Sequence, residues 1–510
     1  MSYYRTLIIS ALLATLIFAI QTPIFADGYV VNQITNNAFY DTDPQLNNNG
    51  DVVYCGGYLD DDGLRGEIFL FNGSSTVRLS DNINIDTQPY LNDSGDVVWW
   101  EWDGSDYEIF LYDGSATIQL TNNSINDHDY KLNNNGDVVW VEGYYMDDGA
   151  RPKLFLYDGA NTILLSDDCA EFASHDINNS GAVVWLEWDG SEYDIFMYDG
   201  SNTIQLTHNN YDDYDPKISD NGYVVWSGYE GSGQDIFLYD GVRTIQLSNN
   251  SYDDHDPKIN NKGDVVWIEE YNEDDSSRSK LFLYDGAHTI QLADNCGRNA
   301  PYSYNINNNG FVVWEGWDGS DEEIYLYDGT RTIQLTHNSY DDNAPKISDN
   351  GHVVWTGYDG SDDEIFLYDG TRTIQLTHNS FNGDQKYSVN KNGDVVWMGY
   401  DGSDYEIYYA FYADTTKPRV KITSPTSRST YRTTRTRLNI GGKAADNVGV
   451  TLVKWSSSRG GSGRCNGTTA WSKTGIALQR GRNVITVTAK DAAGNSKSDR
   501  LTVDYMRHKH

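Results

Sequence analysis

The sequence predicts an all-β chain: a ring-shaped β-propeller followed by a smaller β-sandwich. Three observations carry this. One phrase recurs nine times at a spacing of forty-odd residues. Each copy reads as four short strands with no helical segment. The sign of the charge reverses at Asp414.

The N-terminus comes first. Arg5 precedes "TLIISALLATLIFAI", and "QTPIFADG" then places the small Ala26 before Asp27. This pattern predicts a secretory leader over residues 1–26. The apolar run is short for a membrane span, and no Cys follows Ala26 to take a lipid. The expected product is secreted or periplasmic, with no membrane span, and monomeric.

The chain has 510 residues and a net charge of −38. From Asp414 onward it carries 19 Lys and Arg against 5 Asp, a net of +14, which leaves −52 for the rest. So sharp a switch marks a domain boundary, giving a propeller over 27–413 and a second domain over 414–510. The acidic body excludes nucleic acid and anionic membrane surfaces as partners. It suits divalent cations, neutral sugars or basic proteins. The four cysteines, Cys55, Cys169, Cys296 and Cys465, show no zinc spacing.

The repeat is anchored by Gly50, Gly95, Gly136, Gly181, Gly222, Gly263, Gly310, Gly351 and Gly393. Each unit runs from a lead such as "DPKIS" through an Asn- or Asp-rich turn ending in Gly. "GxVVW", a polar loop, "EIFLYDG" and "TIQLT" follow. The Asp-Gly of "YDG" marks a hairpin, because Gly supplies the positive φ a tight turn requires. Four strands per unit at this period is the mark of a propeller blade. The Trp ending "VVW" (Trp99, Trp140, Trp185, Trp226, Trp267, Trp314, Trp355, Trp397, with Tyr54 in the first unit) is expected to pack between blades.

Closure is legible as well. The ninth unit stops without "TIQLT", and "YVVNQITNN" at 29–37 fits the empty slot. Tyr29–Thr35 is therefore expected to pair with the segment 406–411 and remove an open edge. That makes nine blades; eight, with one irregular unit, stays open. Units three and six share a long loop, basic residues (Arg151 and Lys153; Arg278 and Lys280) and a cysteine (Cys169; Cys296). Three blades is too far for a disulfide between those two.

The unit "DDNAPKISDNGHVVWTGYDGSDDEIFLYDGTRTIQLT" resembles the repeat of TolB-type, WD40-like β-propellers, with Asp41–Pro44, Asp213–Pro216, Asp254–Pro257 and Asp342–Pro345 matching the acidic-x-x-Pro lead. Its turn is Asn/Ser/Asp-rich where that family has "SPDG". The resemblance covers about residues 29–413 and implies fold, not function. In the tail, "RVKIT", "RLNIGGKA", "VTLVKWSS", "TAWSKTGIAL", "NVITVTAKD" and "RLTVDY" read as the strands of an Ig-like β-sandwich. "GRNVITVTAKDAAGNSKS" resembles the last hairpin of bacterial Ig-like modules, which implies a spacer or docking unit. Arg428, Arg432, Arg435 and Arg437 suggest a basic face there.

Two sets of residues are candidates for chemistry. The loop "DGSDxE" recurs, placing Asp318, Asp321 and Glu323, and again Asp359, Asp362 and Glu364, on Gly-containing turns. Clustered carboxylates are the ligands calcium prefers; the bland reading is a hydrated Asx turn. The second set sits at the first strands: Asp43, Asp129, Asp215 and Asp256, with His128 and His255. First strands line a propeller's axis, so these residues are expected to ring one mouth of the channel and hold a cation or polar ligand, or else to cap the turn before Pro. Trp102, Trp188, Trp317, Tyr358 and Tyr400 are candidate exposed platforms for sugar rings. No catalytic elbow or Cys/His framework appears. The reading is a non-enzymatic exported protein that binds a cation, a glycan or a protein. The alternative is a polysaccharide lyase or glycoside hydrolase built around units three and six.

Overall fold

The computed structural model describes residues 24–506 except 27, 61–62, 83, 144–150, 171–174, 231–232, 274–275, 297–302, 382, 448 and 492. Residues 1–23, most of the expected leader, lie outside it. The chain divides into two units between Phe411 and Tyr412.

The first unit is built only of strands, in nine antiparallel sheets. Eight have four strands: blade 1 (41–78), blade 2 (85–119), blade 3 (127–166), blade 4 (175–205), blade 5 (213–246), blade 6 (253–293), blade 7 (304–334) and blade 8 (342–375). Blade 9 takes Gln385–Val389, Val395–Tyr400 and Tyr405–Tyr412 from the end of the repeat and Tyr29–Gln33 from its start. Ile24–Ala26 adds a fifth strand by pairing with Tyr29–Val31, so the expected leader boundary falls within a hairpin.

The first strands touch in order from blade 1 to blade 9, and that of blade 9 touches that of blade 1. The ring is therefore closed, with nine blades rather than eight. Its seam carries backbone bonding: Ile34 N–H donates to Ile407 O at 2.7 Å, and Ile407 N–H to Thr35 Oγ1 at 2.8 Å. Ile34, Val396, Ile407 and Tyr409 pack there against Val52 and Tyr54 of blade 1.

Why the repeated residues make blades follows from their contacts. The "VVW" strand alternates too little for a one-faced sheet and is buried on both faces. Val53, Cys55 and Ile68 of blade 1 pack on Leu91, Val97 and Trp99 of blade 2, and Val98, Ile109 and Leu111 of blade 2 on Leu132, Val138 and Trp140 of blade 3. Each Trp also stacks on the aromatic directly across its own sheet, as Trp355 on Phe366 at 5.9 Å. At 150–250 Å² per aromatic and roughly 25 cal/mol per Å², each column residue contributes about 4–6 kcal/mol before entropy is charged.

The Asn-rich turn does more than reverse the chain. Asn47 Nδ2 donates to Asn92 O, Asn92 to Asn133 O, Asn133 to Asn178 O and Asn178 to Ser219 O, all at 2.9–3.1 Å. Asn390 Nδ2 returns to Asn47 O across the seam at 3.1 Å. Within its own turn, Asn133 Oδ1 accepts from Asn135 and Asp137 N–H. One side chain thus holds both its turn and its neighbour.

No disulfide joins Cys55, Cys169, Cys296 and Cys465, and the first three are buried. The second unit holds sheets of three and five strands. The expected strands are present, and two more appear: Ser462–Arg464 and Thr430–Thr433, the latter pairing parallel to the last strand. Both are short and polar, which hid them. Its core is Leu438, Ile440, Val453, Trp471, Ile485, Val487, Leu501 and Val503.

Candidate functional site

Each first strand of blades 1, 2, 3, 5, 6, 8 and 9 contains a β-bulge, where two strand residues oppose one partner. The bulge residues are Asp43, Gln88, Asp129, Asp215, Asp256, Ala344 and Lys386, all with φ between 51° and 54°. Positive φ is costly for a residue with a Cβ, and Asp tolerates it better than most. The four Asp expected at the channel mouth are thus bulge residues rather than turn caps, on strands that do form the inner ring.

The ring they form is mixed in charge. Lys386 Nζ meets Asp43 Oδ1 at 2.5 Å across the seam. Lys131 Nζ meets Asp176 at 3.0 Å. Asp256 is held below the usual carboxylate range by its hydrogen bond from His255, Nδ1 to Oδ2 at 3.1 Å. Asp215 is pushed up by burial, against the pull of Lys217. His128 is buried between Asp129 Oδ2 (3.1 Å) and Gly143 O (2.7 Å).

A cavity of about 330 Å³ opens on the inner strands of blades 1–3. It is lined by Asp43, Gln45, Gln88, Tyr90, Trp100, Asp129 and Tyr130, with Pro89. It joins two of the expected residues, Asp43 and Asp129. Asp215 and Asp256 lie two to three blades away. Tyr90 and Trp100 were missed because the repeat draws the eye to what recurs. Their signal is the departure: no other blade has an aromatic at either position, the Tyr90 position being Gln45, Lys131, Asp176, Lys217, Lys258, Asn305, Lys346 and Ser388 elsewhere, and the Trp100 position Cys55, Val141, Leu186, Ser227, Ile268, Glu315, Thr356 and Met398.

The acidic loops form a second constellation. Among the described residues, one carboxylate oxygen from each of Asp318, Asp321 and Glu323 lies within 4.8 Å of the other two. The same holds for Asp359, Asp362 and Glu364, for Asp103, Asp106 and Glu108, and for Asp401, Asp404 and Glu406. The Asx turn is real: Asp359 Oδ1 accepts from Ser361 N–H at 2.9 Å and Oγ at 2.7 Å. It does not account for the inner carboxylates. Asp362 Oδ2 and Glu364 Oε2 are buried without a hydrogen-bond partner, and so are Asp106 Oδ2 and Glu108 Oε2. Burial and then the neighbouring carboxylates push Glu364 up to about 7.

Blades without this loop satisfy the same position internally. In blade 1 Glu67 meets Arg78 at 2.6 Å, where the acidic-loop blades have Gln119, Gln334 and Gln375. In blades 3 and 6 the position itself is basic, and Lys153 and Lys280 bind Glu142 (3.0 Å) and Glu269 (2.6 Å). Blade 4 carries a variant of the loop, whose Asp189, Glu192 and Asp194 also converge within 4.8 Å, and there the shorter Asp194 takes Gln205 and Thr207. Arg151 pairs with Asp168. Arg151, Lys153 and Lys280, three of the basic residues of units three and six, are therefore engaged in ion pairs.

The expected sugar platforms are not open faces. Trp102 packs edge-on against Tyr107 at 5.1 Å, Trp188 on Tyr193 at 5.2 Å, Tyr358 on Tyr340 at 4.8 Å and Tyr400 on Tyr405 at 5.5 Å. These rings, with Trp317, are half-buried. Trp102, Trp188 and Tyr400 meet the residue directly opposite on the next strand, and Tyr358 meets Tyr340 of the loop that leads into its blade.

No curated protein sequence matches the chain. Among solved structures, the β-propeller domain of the Trilobed protease from Pyrococcus furiosus is 13% identical, covering 68% of this chain and 100% of that one, with a TM-score of 0.37. The acylaminoacyl peptidase of Pyrococcus horikoshii is 13% identical over 71% of this chain and 57% of its own, with a TM-score of 0.37. TolB from Acinetobacter baumannii is 12% identical over 57% and 80%, with a TM-score of 0.31. Residues 418–506 match the family glucodextranase, domain B. In its sheet order the body is a β-propeller, with a repeat that resembles that of TolB-type propellers, and the tail is an Ig-like domain similar to glucodextranase domain B.

Proposed function

We propose that this chain is an exported, non-enzymatic binding protein whose acidic propeller loops hold divalent cations, calcium above all, and whose propeller presents the resulting surface to a glycan or protein partner. The carrying observation is the unpartnered, buried oxygens of Asp362 and Glu364 and of their counterparts Asp106 and Glu108. A buried carboxylate without a partner is costly, and three converging carboxylates on a turn are oxygen ligands of the kind Ca²⁺ takes. Blades 1, 3 and 6, which lack the loop, support the reading by contrast, because a built-in Arg or Lys serves the position there. Binding is favoured over catalysis because near-identical blades offer like groups in like surroundings, whereas acid/base work needs unlike ones. The apolar leader supports export. Among the described residues, no helix is long and apolar enough to cross a membrane.

The test is calorimetric titration of the full chain with CaCl₂, alongside thermal unfolding in CaCl₂ and in EGTA. Saturation at about a hundred times Kd should add about 2.7 kcal/mol per site. Asp362→Asn with Glu364→Gln should remove one site from the stoichiometry and leave the others. No heat and no shift in melting temperature would end this reading.

A further inference from the structure

We propose that the cavity on the inner strands of blades 1–3 is a carbohydrate subsite that takes one neutral pyranose unit, with Tyr90 and Trp100 as its apolar platform and Asp43, Gln45, Gln88 and Asp129 as its polar contacts. The inference rests on the binding reading above but not on its cation sites, so either can fail alone.

The first argument is the break in the repeat. Blade 2 alone puts aromatics at these two positions, where its siblings put charged, polar, small or aliphatic side chains, and both line the same cavity. Trp100 also packs against the core between blades 2 and 3. Tyr90 is 47% exposed. Trp100 Nε1 is buried without a hydrogen-bond partner, as is Trp397 Nε1 of the packing column, whereas Trp99 donates to Asp86, Trp140 to Asp127 and Trp267 to Asp254.

The second argument is rigidity. Trp100 is held edge-on by Tyr130 (5.4 Å, 89°) and tilted against Tyr107 (5.9 Å). The Tyr130 hydroxyl donates to Gln88 O. Asp43, Gln88 and Asp129 are presented by bulges at positive φ, a device that seven blades share and that fixes the direction of these side chains.

The third argument selects the ligand. Two carboxylates beside three aromatic rings would suit an ammonium group, but here the charge is already met. Lys386 occupies Asp43, and His128 lies on Asp129 Oδ2. What remains is carboxylate and amide oxygens and amide N–H groups beside aromatic faces. That set hydrogen-bonds vicinal hydroxyls while the rings cover C–H faces. About 330 Å³ is at the small end of ligand pockets, enough for one ring of a longer glycan.

The experiment uses the full chain, a panel of hexoses, 6-deoxyhexoses and N-acetylhexosamines and their short oligomers, and choline as the cationic probe. Tryptophan fluorescence and calorimetry are read in EGTA and in calcium. Saturable binding of at least one saccharide is expected, with Kd in the millimolar range or tighter. Tyr90→Lys and Trp100→Leu write into blade 2 residues that its siblings carry, so the fold should survive. Each should weaken saccharide binding at least about tenfold, about 1.4 kcal/mol. Gln88→Ala should weaken it with the platform intact. The proposal is overturned if no saccharide binds at about 10 mM, if choline binds and no saccharide does, or if Tyr90→Lys and Trp100→Leu bind as well as the parent. Loss of calcium binding with saccharide binding retained would sink only the cation reading.

Discussion

Trp355 Nε1 donates to Asp342 Oδ1 at 3.0 Å, with both side chains buried between two blades. The lead aspartate and the terminal tryptophan of the unit, thirteen positions apart, are thereby one interaction. Trp99 with Asp86, Trp140 with Asp127 and Trp267 with Asp254 repeat it. Trp355→Phe keeps most of the packing and orphans the carboxylate. It is expected to cost about 1–3 kcal/mol in urea unfolding, while Trp355→Phe combined with Asp342→Leu should cost less than the sum of the two single changes.

The seam offers a second prediction. Ile34→Pro removes the N–H that reaches Ile407 O, and Thr35→Val removes the acceptor of Ile407 N–H. Each should destabilise by about 1–3 kcal/mol. Ile34→Pro should in addition make the chain end before residue 41 sensitive to limited proteolysis, because the freed strand no longer fills blade 9. Unchanged cleavage would mean that ring integrity does not depend on this strand.

Stability should fall as pH rises through mild acidity. Burial pushes Asp127 and Asp213 up from 3.8 to about 7. Glu108 and Glu142 add to the first and Asp194 to the second, against hydrogen bonds from Thr121 and Asn123 and from Thr207 and Asn209. Folded-state values above the unfolded value mean that the folded chain holds these protons where the unfolded chain has released them. Their stabilisation is full below about pH 4 and is lost by about pH 7. In EGTA the melting temperature should be higher at about pH 5 than at about pH 7.5. Asp127→Asn, which still accepts from Trp140, should flatten the slope.

Asn133 bridges three elements at once. Asn133→Ala removes the bond to Asn178 O and two turn acceptors. It should cost about 2 kcal/mol, more than Asn135→Ala on the rim. Asn135 also reaches the next blade, at Asn179 O, but on the exposed side, so equal effects in chemical denaturation would show that burial of the Asn133 bridge adds nothing.

Much of this was readable in advance. The period, the strands, the borrowed strand of blade 9 and the Ig-like tail all follow from side-chain alternation and turn residues, which are local. The acidic triads were readable too, because their members lie within six residues of one another. The half-buried state of Tyr358, the use of Arg151 in an ion pair, and the lysines among the inner aspartates were not. Each depends on a partner chosen by the path of a loop or by the next blade.

Local spacing determined where this chain turns, pairs and repeats, since those follow from neighbours a few bonds away. Only the closed ring decided which carboxylates lose their water, and that Tyr90 and Trp100 stand beside Asp43 and Asp129. Desolvation and contacts between blades arise from residues some forty positions apart, and nothing in a single repeat encodes them.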